Sequence, residues 1–160
     1  MAHRYSIRLA DDAATATEHD AKMPASLFPL LWAGFFLAAF GGVMAIGHAA
    51  GILSSRGGSP MVAMIGAILV NIGNAGGRFG AGWACDHFPP GRVAACAHVS
   101  ALIGFLVLIF FPSTMAGLVA LAFIGLGYGI ASGAYPSGIS IFFGVARYGR
   151  NLGILITAWG

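Results

Sequence analysis

Residues 61–83 read MVAMIGAILVNIGNAGGRFGAGW, a glycine-rich apolar run carrying a single charge, Arg78. About 20 consecutive apolar residues in a helix cross the hydrocarbon core of a bilayer, so this run is long enough to span one. A barrel strand would use about 9–11 residues of alternating polarity. Here the apolar character is continuous, and the run predicts a transmembrane helix. A lone guanidinium in hydrocarbon is costly, which makes Arg78 a functional-site expectation.

The rest of the chain repeats that chemistry. Of the 160 residues, 58% are hydrophobic and 8% charged, and the mean hydropathy is +0.85. That balance points to an integral membrane protein. Complete spans are expected at about 27–53, 60–84, 93–111 and 116–144, with a further one starting near 150. The predicted fold class is all-α, a polytopic transmembrane helix bundle. Residues 1–26 have no apolar core and read as a polar tail rather than a signal peptide. The last run, NLGILITAWG, is about half a crossing, so the sequence reads as a fragment of a longer protein, with its final span truncated.

Charge distribution gives an orientation and excludes some functions. The net charge is +3, but the basic residues stand singly between apolar blocks, so nucleic-acid binding is not expected. Arg4, Arg8, Lys22, Arg92, Arg147 and Arg150 fall on one side of the spans and Arg56 on the other, which places the tail in the cytoplasm. Cys85 and Cys96 lack the further ligands of a zinc site or a disulfide framework and read as small fillers. No metal or other cofactor is implied. Nothing resembles a nucleophile elbow or a phosphate loop, so no enzyme activity is expected.

At 100° per residue, Asn71, Asn74 and Arg78 fall within about 60° of one another, and Gly66, Gly73, Gly76, Gly77 and Gly80 cluster on the opposite side. The glycines would let a neighbouring helix approach closely. The polar face would line a water-filled cavity, where the planar fork of Arg78 suits a carboxylate of a small organic anion. Two other readings stay open, an arginine that snorkels to the cytoplasmic interface and one that pairs with an acid on another helix.

Two stretches carry a family resemblance: NAGGRFGAGWACDHFPPGR at 74–92 and GYGIASGAYPSGISIFFGVARYGRNLGILITAWG at 127–160. Together they resemble the carboxyl half of a major facilitator superfamily carrier, and most nearly the oxalate/formate antiporter family within its monocarboxylate-transporter-like branch. The shared features are Asn74 and Arg78, the intrahelical Pro136, Phe143, Gly144, Gly149 and Asn151 in a loop, and the closing Ala158, Trp159 and Gly160. GGVMAIGHAAGIL at 41–53 is similar to the family's seventh helix. The resemblance implies about helices 7 to 11 of twelve, a missing amino-terminal six-helix half as partner, and a tail that belongs to the central cytoplasmic loop. It also implies that Arg78 binds the substrate carboxylate, in a multi-pass protein of a bacterial inner membrane. Gly82, Asp86, Gly91 and Arg92 resemble the superfamily's loop motif, in which a carboxylate caps an adjacent helix and gates. This copy departs from it at His87, Pro89 and Pro90.

Further candidates are weaker. Gly125, Gly129 and Gly133 form a packing ridge at four-residue spacing, with Tyr128, Ser132 and Tyr135 on another face. The tyrosines either donate to the anion or simply pack. Pro136 removes a backbone donor and frees the Ser132 carbonyl, a candidate hinge. His48 is a possible proton-coupling site, with a packed or interfacial histidine as the plainer reading, and His98 a slighter candidate. Trp32 and Trp83 read as interfacial anchors. The expected function is secondary transport of a small organic anion, a mono- or dicarboxylate such as oxalate or formate. The alternative is a non-transporting membrane subunit whose glycine faces mediate assembly.

Overall fold

A computed structural model describes residues 26–159. The polar tail, with Arg4, Arg8 and Lys22, and the final Gly160 lie outside the described residues. The described chain is all helical, and the first four helices are long and apolar enough to cross a membrane. They are α1 (Leu27–Ser54), α2 (Pro60–His87), α3 (Pro90–Phe110) and α4 (Thr114–Phe143). A shorter α5 (Val145–Ile156) leads into a 3-10 turn, Thr157–Trp159.

Local chemistry fixes where these helices start and stop. Ser59 and Ser113 cap α2 and α4, their hydroxyls accepting from the backbone N–H of Val62 and Ala116. Pro60 and Pro90 take first-turn positions, where the missing N–H costs nothing. α2 runs past its expected end near residue 84, because nothing in Cys85–His87 forbids helix. It stops where Phe88 is forced into extended backbone ahead of Pro89. Between α4 and α5 the chain turns on Gly144, with φ 74° and ψ 161°, a conformation open essentially to glycine alone. α5 therefore begins at Val145, where a loop leading to residue 150 is expected from sequence.

α4 is the most buried of the four long helices, and α1, α2 and α3 all pack along it. Apolar layers lie at both ends of this contact. Leu53, Val70, Leu121 and Ile124 form one, and Phe35, Ala131, Tyr135, Ile139 and Leu155 form the other. Lipid supplies no hydrophobic drive between helices, so contact depends on close approach of small residues. Gly125 and Gly129 of α4 face the carbonyls of Val70 and Asn74 on α2, while Gly73 and Gly77 of α2 face α4 backbone at Ala122 and Leu126. A methyl at any of these four would meet backbone. Gly133 meets the Ala81 side chain.

The expected glycine face of α2 is thus only partly used. Gly66, Gly73 and Gly77 pack, whereas a methyl on Gly76 or Gly80 would meet nothing within 4 Å. The physical reason is the axis of the contact. The buried stripe runs through Ala63, Gly66, Val70, Gly77 and Ala81, and Gly76 and Gly80 fall to one side of it.

Candidate functional site

The α2–α4 contact positions the candidate site. Because Gly129 sits against the Asn74 carbonyl, the Asn74–Arg78 turn is held beside Tyr128, the residue preceding Gly129. Arg78 Nε donates to Asn74 Oδ1 at 3.3 Å, one turn toward the amino end of α2. A helix of 28 residues is about 42 Å long, so Arg78 lies about 7 Å past the midpoint of α2 and about 13 Å from His87 at its nearer end. Its guanidinium points back toward the middle of the span. A snorkelling arginine would extend the other way, to the nearer interface.

Tyr128 completes the group. Its ring lies over Gly42 of α1, where a Cβ would strike the ring, so α1 can approach only through glycine there. The Tyr128 hydroxyl sits beside Arg78, Ser132 and Trp159, and the Tyr128 and Trp159 rings are 6.5 Å apart. Tyr128 itself is buried, Asn74 half-buried and Arg78 exposed. The one acid among the described residues, Asp86, lies about 12 Å further along α2, at its end. The result is a fixed cation with a phenol and an indole close by and, among the described residues, no carboxylate in reach. Such a group can receive an anion.

Other expected residues go elsewhere. Asn71 turns its amide back to the Ala67 carbonyl at 2.7 Å. Tyr135 is buried and bonds His98 Nε2 at 2.8 Å, joining α4 to α3 away from Arg78. Pro136 lies inside α4, which continues through it to Phe143. Three serines flank this turn and bond back to the main chain: Ser132 to Tyr128, Ser137 to Gly133, and Ser140 to Ser137. His48 is exposed, with Nδ1 3.0 Å from the Met44 carbonyl, and lines a cavity of about 510 Å³ with Trp32 and Trp159. Gly82 and Asp86 are exposed, and the first turn of α3 has no side-chain cap. Arg92 opens instead onto a groove with Trp83 and Phe88.

Two residues gain parts that the sequence did not suggest. Trp32 donates its indole N–H to Thr157 Oγ1 at 3.1 Å, fixing the 3-10 turn that carries Trp159. Trp159 had no distinct expectation, since its approach to Tyr128 depends on how α5 and the turn fold back on α1 and α4. No local sequence signal carries that.

No family model matches the chain, and no solved structure does. An uncharacterized MFS-type transporter of Escherichia coli (strain K12), YhjX, is 28% identical over 128 residues, which make up 79% of this chain and 32% of that protein. The chain resembles part of an MFS-type transporter. This similarity supports membership of the major facilitator superfamily. The chain spans about a third of the length of the curated relative it matches. With four membrane-length helices beside that similarity, the protein is an integral, multi-pass membrane protein.

Proposed function

We propose that the protein is part of a secondary transporter that moves a small organic anion, a mono- or dicarboxylate such as oxalate or formate, by alternating access. The observation that carries this reading is the direction of Arg78. The guanidinium is bound to Asn74 and aimed at mid-span beside Tyr128 and Trp159, with no acid in the described spans to neutralise it. Nε is partly used by Asn74, and the terminal nitrogens can take a carboxylate side-on. Tyr128 can donate a further hydrogen bond. The similarity to a longer MFS-type transporter supports a transporter in general, with further helices supplying the rest of the cavity wall.

Several finer features belong to the same proposal: exchange of one anion for another, a bacterial inner membrane, and a cytoplasmic amino terminus. Gly82, Asp86 and Arg92 would then lie at the cytoplasmic end, where two halves would separate. Pro136 would be a hinge in α4. His48, beside the Trp32–Trp159 cavity, is the candidate for coupling transport to protons.

The test is uptake of labelled oxalate and formate into proteoliposomes holding the complete transporter. Removing one side of a desolvated charge pair costs about 2–5 kcal/mol, so Arg78→Gln should lower uptake about 30-fold or more. Arg78→Lys keeps the charge but loses the fork, and should recover part of it. Normal insertion with unchanged uptake in Arg78→Gln would refute the site, whereas absence of uptake in the parent would favour a non-transporting subunit.

A further inference from the structure

α2 and α3 each lie along α4 yet scarcely touch one another, which leaves a wedge between them on the side away from Arg78. The wedge is a groove of about 630 Å³. Its floor is Leu126 and Ile130 of α4, and its walls are Gly80 and Ala84 of α2 with Val93 and Cys96 of α3. The groove is therefore apolar along its length and lined with small side chains. At one end the character changes. Arg92, in the first turn of α3, stands at the mouth with Trp83 and Phe88.

Trp83 is 63% exposed and Phe88 51% exposed, both at the end of α2, where a span meets the headgroup layer. This order, from apolar slot to aromatic rim to guanidinium, matches the order of an acyl chain, a glycerol ester and a phosphate. Basic pockets between transmembrane helices bind anionic headgroups for the same reason. A second copy of the chain fits less well, because the described residues offer a single acid, Asp86, to meet Arg92.

We propose that the α2–α3–α4 groove binds an anionic diacyl phospholipid, with one acyl chain along the groove and its phosphate on Arg92. The position of Arg92 in the first turn of α3 adds the positive end of the helix dipole to its own charge. The occupant wedges α2 and α3 apart on α4, so the lipid forms part of the packing of the bundle. This site is independent of the anion reading, since it uses neither Arg78 nor Tyr128.

The test reads Trp83 directly, in protein whose every other tryptophan, Trp32 and Trp159 included, is replaced by Phe, reconstituted with brominated phosphatidylglycerol or brominated phosphatidylcholine as the quencher. One basic residue near a headgroup layer is worth about a fivefold preference for the anionic lipid. The parent should show that preference, Arg92→Lys should keep it, and Arg92→Gln should reduce it to about one. Arg150→Gln, which leaves the groove untouched, should retain it. Equal quenching by both lipids in the parent overturns the proposal, as does a preference that survives Arg92→Gln or falls equally in Arg150→Gln. Absence of quenching by either lipid overturns it too, because protein then covers the groove. Light scattering in that case separates a second copy from a helix of the same polypeptide.

Discussion

A methyl group added at Gly77 has no place to go. It would fall on the Leu126 carbonyl oxygen, 2.8 Å from the Ile130 nitrogen and 3.0 Å from the Gly129 carbonyl carbon. Ordinary contacts to carbon are about 3.5–4.0 Å, so at least about 0.5 Å must be found. All three atoms are α4 backbone, fixed by helical hydrogen bonds, so α2 must move away as a body and open the contacts at Gly73, Gly125 and Gly129. Overpacking of this kind costs about 1–3 kcal/mol, and the better helix propensity of alanine returns up to about 1 kcal/mol. The net loss for Gly77→Ala is about 1–2 kcal/mol. Gly76→Ala makes the same chemical change one residue earlier, meets nothing within 4 Å, and should be neutral or slightly stabilising. For a chain of this size each kcal/mol moves the melting temperature by about 2–4 °C. Cys85 offers a local readout, because this half-buried α2 thiol lies beside Ser137 of α4 and is uncovered when the two helices part. With Cys96 replaced by Ser, alkylation of Cys85 against temperature should show Gly77→Ala opening about 2–8 °C below the parent. If Gly77→Ala and Gly76→Ala open together, the backbone-to-backbone account of the α2–α4 contact is wrong.

Asn74→Ala removes the bond that aims Arg78 and should weaken the apparent affinity for the transported anion about fivefold, the worth of about 1 kcal/mol, read from the concentration dependence of uptake. Asn74→Asp puts a carboxylate where the guanidinium already points, so uptake should be lost while insertion is normal. Arg56 donates to the Leu108 carbonyl at the end of α3, and its own carbonyl accepts from Thr114 at 2.7 Å. Arg56→Ala should therefore cost about 1–2 kcal/mol, visible as a lower melting temperature in detergent. Tyr135→Phe leaves His98 without its partner and should cost about 1–3 kcal/mol, whereas adding His98→Phe should recover most of it, since removing both partners is nearly neutral. A double variant as unstable as the sum of the single ones would argue against a specific His98–Tyr135 bond.

The spans were legible because lipid imposes its own length on them, whereas the starts marked by Pro90 and Ser113 lie two or three residues before those expected. The α4 ridge was legible for a related reason, since glycine at four-residue spacing has one common use in a membrane. The two unused glycines of α2 show where such reading stops: a helical wheel gives a face, but the partner decides which part of that face is the contact. The Asn74–Arg78 pair was visible as a spacing of one turn. Whether the side chain reaches toward the interface or the interior depends on the hydrogen bond it finds. Tyr128 and Tyr135 are two turns apart on one face of α4 and alike in sequence, yet they part company because Arg78 and Trp159 flank the first and His98 meets the second. Those neighbours arrive from three other elements, and no local pattern announces them. The α2–α3 wedge was equally hidden, because it is an absence of contact.

The central place of α4 also bears on how the molecule is made. A ribosome adds about 5–20 residues per second, so α1, α2 and α3 are in the membrane for seconds before α4 is complete. During that time α3 has little to hold it to α1 or α2, and the notches at Gly42, Gly73, Gly77 and Gly104 have no helix to fill them. Insertion and assembly are therefore separate events here, with tertiary structure condensing onto the fourth helix when it arrives. A substitution that delays or misplaces α4 would leave α1, α2 and α3 inserted but without the helix on which they pack.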